Sequence, residues 1–167
     1  KDKLLKHGIT AYIDNTDKSP GFKFAEAEVN GIPVRIEVGA RDLAENKITV
    51  ARRDTREKLV TDADTDIVTY ISVLLDTIQR DMYDRAVERR DSLTFEAHTL
   101  EDMEKILNTQ PGFIHAMWCG DETCETKIKE IKGCKSRCIL EDGEKIDDKC
   151  VCCGKPATKH VIWGIQY

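Results

Sequence analysis

Cys119-Gly120-Asp121-Glu122-Thr123-Cys124 and Cys150-Val151-Cys152-Cys153-Gly154-Lys155-Pro156 decide how the second half of this chain is held together. Each stretch sets two thiols a few residues apart on what reads as a tight turn. Two such pairs, separated by a longer segment, are what a tetrahedral Zn²⁺ site requires, each pair supplying half of the coordination shell. A site built from Cys119, Cys124, Cys150 and Cys153 is all-thiolate and leaves no position open for water. Its expected role is therefore structural, with folding and metal binding coupled. The competing readings are free buried thiols or a redox pair at Cys150 and Cys153. A thioredoxin-like pair sits at the start of a helix after a strand, whereas Gly154-Lys155-Pro156 cannot begin a helix easily. Cys152, inside that turn, is expected to point away from the metal. Cys134 and Cys138 read as ordinary thiols, and His115 and His160 as packing or surface histidines.

Working outward, Asp121 is placed to cap a helix running to about Lys132, with Gly133 as its stop, which puts Cys124 in the first turn. Phe113 to Trp118 reads as the strand leading into the first cysteine pair. Ser136 to Leu140 and Lys159 to Ile165 read as further strands. Thr99-Leu100-Glu101-Asp102 has the form of a capping box, opening a helix that ends near Asn108. Upstream, Ile67, Ile71, Leu74, Leu75, Ile78 and Met82 recur at helical spacing, and Thr61-Asp62-Ala63-Asp64 fits a capping box before them. The charged stretch Asp84 to Asp91 carries that helix on to a junction.

Lys1 to Lys6 read as the end of a helix stopped by Gly8, and Ile9 to Ile13 alternates like a strand. A chain that opens inside a helix suggests that upstream elements are missing. Ser19-Pro20-Gly21 reads as a turn and Phe24 to Val29 as a strand. Asn30-Gly31 then gives a strong hairpin signal, because both residues tolerate positive φ. Ile32 to Val38 returns as the second strand, with Val34, Ile36 and Val38 on one side and Arg35 and Glu37 on the other. Lys47 to Ala51 is a third strand.

The 167 residues suffice for two small domains, and 40% apolar with 34% charged residues describes a globular protein. The apolar runs fall short of the ~20 residues a membrane span needs. Seven cysteines, an odd number, without an export signal point to a reducing compartment. A net charge of −5 argues against binding nucleic acid by bulk electrostatics. Arg35, Arg41, Lys47, Arg52, Arg53, Arg56 and Lys58 are nevertheless concentrated in one stretch, so any nucleic-acid contact would be local and selective; the other reading is a solvated sheet edge.

Ser19-Pro20-Gly21-Phe22-Lys23-Phe24, the stretch from Gly31 to Asp42, and Ala51-Arg52-Arg53-Asp54-Thr55-Arg56-Glu57-Lys58 closely resemble the anticodon-binding domain of prolyl-tRNA synthetases of the archaeal and eukaryotic type. Phe113 to Cys124 and Cys150 to Ala157 resemble that family's C-terminal zinc domain in order and spacing, and the ending Trp163 to Tyr167 resembles its terminal tyrosine. Ala40 stands where the family usually has proline, and Arg56 where it often has glycine. The resemblance implies an α/β architecture: a mixed-sheet anticodon-binding domain over residues 1–84, truncated at its N-terminus, followed by a small α+β zinc-binding domain over residues 85–167. It implies structural Zn²⁺, with ATP and Mg²⁺ belonging to a catalytic domain that is missing here; no segment matches the class II catalytic motifs. It further implies a tRNA-Pro partner, attachment to the catalytic domain of a homodimeric parent, cytoplasmic location and no membrane.

Every proline anticodon ends in two guanines, whose Watson–Crick edges offer N1–H and N2–H₂ as donors and O6 as acceptor. A carboxylate accepts from both nitrogens and a guanidinium donates to O6 or N7, so a guanine reader needs acids and bases together. By resemblance the residues carried over are Glu28, Arg35, Asp42 and, with looser alignment, Lys58, with Phe22 or Phe24 as a stacking surface. Cross-strand salt bridges are the structural alternative for these charges. By the same resemblance, Tyr167 lies near the catalytic domain as possible active-site support. Two rival functions stand beside this reading: a stand-alone RNA-binding zinc module and a thiol–disulfide protein.

Overall fold

In a computed structural model of the protein, which describes residues 1–141 and 144–165, the chain divides into two compact units, Lys1–Ala86 and Val87–Tyr167. Each unit has its own sheet and its own core.

The first unit begins with α1 (Asp2–Lys6), followed by Gly8 at φ 77°. Ile9 to Ile13 has no regular structure, with Ile9 and Ala11 packed on the core and Tyr12 and Ile13 exposed, and it pairs with no strand among the described residues. The strand expected there is not formed, and the alternation stops at Ile13, which is 61% exposed.

The segment expected to be a strand and a hairpin is α2 (Pro20–Val29). Its ends are specified by their own side chains. Ser19 is the N-cap, its hydroxyl accepting from the Phe22 N–H, and Pro20 occupies the first helical position, where its missing N–H costs nothing. At the other end Gly31 takes φ 77°, its N–H donates to the Glu28 carbonyl at 3.2 Å, and the Ile32 N–H donates to the Ala27 carbonyl at 3.0 Å. That pair of bonds is a Schellman motif. Asn30-Gly31 therefore ends a helix rather than turning a hairpin. Ala25, Glu26, Ala27 and Glu28 between these ends are strong helix formers.

The sheet of this unit runs β1 (Val34–Glu37), β2 (Lys47–Arg52), β3 (Lys58–Asp62), antiparallel throughout, with α3 (Ala40–Ala44) between the first two strands. The register aligns Arg35 with Ala51 and Glu37 with Thr49, then Ala51 with Lys58 and Thr49 with Val60. These residues share one face. Val34, Ile36, Ile48 and Val50 take the opposite face and pack with Ile71, Leu74 and Ile78 of α4 (Ile67–Ser92). Val34 and Ile36 are partly buried; the buried members, such as Val50 and Ile71, each contribute about 1.5–3 kcal/mol. Met82, expected in the buried stripe, is 49% exposed. The expected capping box at Thr61 is not one: Thr61 and Asp62 end β3, and Asp66 caps α4, its carboxylate accepting from the Val68 N–H and the Thr69 hydroxyl.

The second unit holds a four-stranded mixed sheet in the order β4 (Thr94–Glu96), β5 (Phe113–Trp118), β7 (Lys159–Ile165), β6 (Cys134–Leu140), with β4 parallel to β5 and the other pairs antiparallel. The capping box at Thr99 and Asp102 is present and opens α5 (Leu100–Thr109). Asp121 caps α6 (Glu122–Glu130) through the Thr123 N–H at 2.8 Å. Met103, Leu107, Ile114, Ile128, Val161 and Trp163 form the fully buried core, with Cys134 among them. Among the described residues no helix is long and apolar enough to cross a membrane.

Candidate nucleic-acid interface and metal centre

Glu28, in the last turn of α2, Arg35 on β1 and Lys58 on β3 meet on the α2 side of the first sheet. Arg35 Nη1 donates to Glu28 Oε1 at 3.5 Å. Arg35 Nε and Nη2 donate to Glu37 Oε1 at 3.1 and 2.9 Å, and Lys58 Nζ donates to Glu37 Oε2 at 2.9 Å. The Phe24 ring lies beneath both cations, 4.2 Å from the Arg35 guanidinium carbon and 5.1 Å from Lys58 Nζ. Phe22, 54% exposed, has Lys18 Nζ 4.6 Å from its ring centre. Burial raises the Glu37 carboxyl, and the hydrogen bonds from Lys58 and Arg35 outweigh it, holding Glu37 below the usual carboxylate range.

Asp42 is exposed on α3 and joins none of these ion pairs; its carboxylate lies over Gly39, where an added Cβ would meet Oδ2 at 2.8 Å. The structure thus gathers Glu28, Arg35 and Lys58 and leaves Asp42 apart.

Arg52 and Arg53 of the basic stretch are engaged in structural bonds. Arg52, 9% exposed, donates to Asp54 and Asp81, and Asp54 also accepts from Arg85. Hydrogen bonds from Arg52 lead the causes that lower Asp54 to about 2. Arg53 Nε donates to the Glu28 carbonyl at 2.8 Å, fixing the end of α2. Asp54 stands only two residues from Arg52, but Asp81 and Arg85, which close the network, lie about thirty residues away in the chain and gave no local signal. Glu37 had a visible signal: it stands two residues from Arg35 on the same strand face.

In the second unit Cys119 follows β5 and Cys124 is the third residue of α6, with Gly120 turning between them at φ 91°. The other pair sits on a knuckle closed by Gly154 N–H to Cys150 carbonyl at 2.9 Å and Cys150 N–H to Lys155 carbonyl at 2.8 Å. Val151 N–H donates to the Met117 carbonyl, tying the knuckle to β5. The Sγ atoms of Cys119, Cys124, Cys150 and Cys153 lie within 4.8 Å of one another, and Cys119 stands 3.8 Å from both Cys124 and Cys153. A tetrahedron of Zn–S bonds near 2.3 Å has edges of about 3.8 Å. The four cysteines are close enough to bind a metal ion.

Burial opposes ionisation of Cys150, but the backbone N–H groups of Cys153, Cys152 and Cys119 outweigh it and bring this thiol down to about 7. Burial pushes Cys119 and Cys124 up, so these sulfurs need a cation to stay ionised together. Cys134, buried in the core, is raised by burial to about 11; Cys138 is exposed; Cys152 packs beside the cluster without being one of its four members. His115 Nδ1 and His160 Nε2 bond to each other at 3.0 Å. Tyr167 lies outside the described residues.

One unit thus sets acids and cations together on a helix-backed sheet, and the other sets four cysteines together on two turns. Residues 1–74 match the family described as "Anticodon binding domain" and residues 100–167 the family "Prolyl-tRNA synthetase, C-terminal". The chain belongs to the prolyl-tRNA synthetase family. It is 48% identical over 155 residues, 93% of its length, to the proline–tRNA ligase of Clostridium novyi, covering 32% of that protein. It is 49% identical over 168 residues to that of Agathobacter rectalis, with 100% of the chain and 35% of the relative covered. With that of Clostridium botulinum (strain Loch Maree / Type A3) it shares 44% identity over 167 residues, 34% of that protein. The chain spans about one third of the length of these curated relatives.

Proposed function

We propose that this chain supplies the anticodon reader and a zinc-held tail to a proline–tRNA ligase. The observation that carries the reading is the convergence of Glu28, Arg35 and Lys58 over Phe24, on the unit whose sequence matches the anticodon-binding family. A carboxylate and a guanidinium side by side complement guanine, and the neighbouring ring offers a stacking surface. Asp42 approaches the RNA from α3 as a separate contact. Zn²⁺ on Cys119, Cys124, Cys150 and Cys153 holds the second unit together and takes no part in chemistry, since four thiolates leave no open position.

The parent enzyme would join L-proline to tRNA-Pro at the expense of ATP, in the cytoplasm and as a homodimer. ATP and Mg²⁺ would serve its catalytic domain, so this chain by itself is expected to leave proline unactivated. The test is binding to a short RNA hairpin whose loop carries two adjacent guanines, against the same hairpin with adenines in their place. A preference of about tenfold or more for the guanines supports the reading; equal affinity contradicts it. Metal analysis should give one zinc per chain. Metal-free folded protein with a reversible Cys150–Cys153 disulfide would instead favour thiol–disulfide chemistry.

A further inference from the structure

Among the charges on this face, Glu37 has a distinct place. Both of its carboxylate oxygens are engaged: Oε1 accepts twice from Arg35, and Oε2 accepts from Lys58. Its side chain is only 17% exposed, as is that of Arg35, whereas Glu28 is 44% and Lys58 50% exposed. Glu28 has an oxygen clear of Arg35 and stands open to solvent, as a base reader must.

Arg35 carries five N–H donors. Glu37 takes one at Nε and one at Nη2, which fixes the plane of the guanidinium above Phe24 and leaves its outer Nη1–Nη2 edge with only the long contact to Glu28. That edge is the fork that matches guanine O6 and N7. The same carboxylate draws Lys58 over the same ring.

We infer that Glu37 is a positioning residue of this face: through one carboxylate it orients Arg35 and Lys58 for a splayed guanine and cancels part of their charge toward phosphates. The inference rests on the proposed reading of guanine-bearing single-stranded RNA. It explains how two cations here can serve base selection rather than general attraction to a polyanion. An exposed ion pair contributes little, but this one is half hidden, bidentate from Arg35 and shared by two cations.

The experiment uses the full zinc-loaded chain, the two hairpins above, and the variants Glu37→Ala and Glu37→Gln. Affinity is read by fluorescence anisotropy at several salt concentrations. Glu37→Ala should lose about tenfold of the guanine preference, keep or gain affinity for the adenine hairpin, and steepen the salt dependence, because two cations are released. Glu37→Gln keeps an acceptor for Arg35 and should fall between Ala and wild type. Retention of wild-type preference by both variants overturns the inference. So does an equal loss for both hairpins, which marks a merely structural role. A wild-type protein without guanine preference removes the reading itself, and the role of Glu37 with it.

Discussion

The two units spend their polar chemistry in opposite ways. Lys1–Ala86 presents charge on one face of a sheet, with Glu28 and Lys58 largely open to solvent, and hides its structural ion pairs, Arg52 with Asp54 and Asp81, on the other face. Val87–Tyr167 turns four cysteines onto each other, Cys124 and Cys150 buried, Cys119 half-buried and Cys153 exposed. On the proposed reading, the first unit keeps donors and acceptors outside for a partner, and the second closes its thiols on a metal.

The largest break in that comparison is removal of the metal. Both tryptophans, Trp118 and Trp163, belong to the second unit, so their fluorescence reports that unit alone. Chelation at neutral pH, or Cys150→Ser, should shift the emission to the red, since structural zinc contributes about 10–16 kcal/mol of apparent binding free energy to such sites. Amide exchange in β2 should stay protected. Cys138→Ser, at an exposed position, should change neither signal.

Next comes the buried network of the first unit. Arg52→Ala leaves Asp54, whose side chain is 5% exposed, with Arg85 alone, and should destabilise that unit by about 3–5 kcal/mol. Loss of amide protection in β2 with unchanged tryptophan emission would show it. The same network sets an acid limit. Asp54 sits at about 2 when folded against an ordinary 3.8, so its contribution is fully present above about pH 4 and is lost as the pH falls toward 2. An acid titration followed by exchange should find Arg52→Ala less sensitive than wild type in that window, with Arg85 still holding part of the effect.

What the sequence made legible was local. The Thr99 and Asp102 capping box, the strand into Cys119 and both cysteine pairs each declare themselves within a few residues. Asn30-Gly31 did not, because a hairpin turn and a helix C-terminus ask the same backbone freedom of glycine. The deciding signal was Ser19-Pro20, at the other end of the helix. β4 is three residues long and exists through its partner β5. Arg52 reads as one more surface cation until Asp81, on α4, closes over it. Glu28, Arg35 and Lys58 were identified by resemblance and Glu37 was not singled out, since an anchor is recognised by the groups it touches.

Two smaller effects sharpen the account of the first unit. Arg56 adopts φ 62°, a left-handed conformation that favours glycine, so Arg56→Gly should stabilise by up to about 1 kcal/mol in a denaturant titration. Ala40 is the first residue of α3, and Ala40→Pro should gain about 0.4–1 kcal/mol there.

The separation of recognition from metal is tested most directly by Arg35→Ala in the zinc-loaded protein, measured at once for affinity to the two-guanine hairpin and for melting of the tryptophan signal. Loss of a base contact worth about 1–3 kcal/mol, tenfold or more in affinity, with an unchanged melt is the expected result. Wild-type affinity for the hairpin would contradict the assignment of recognition to this face.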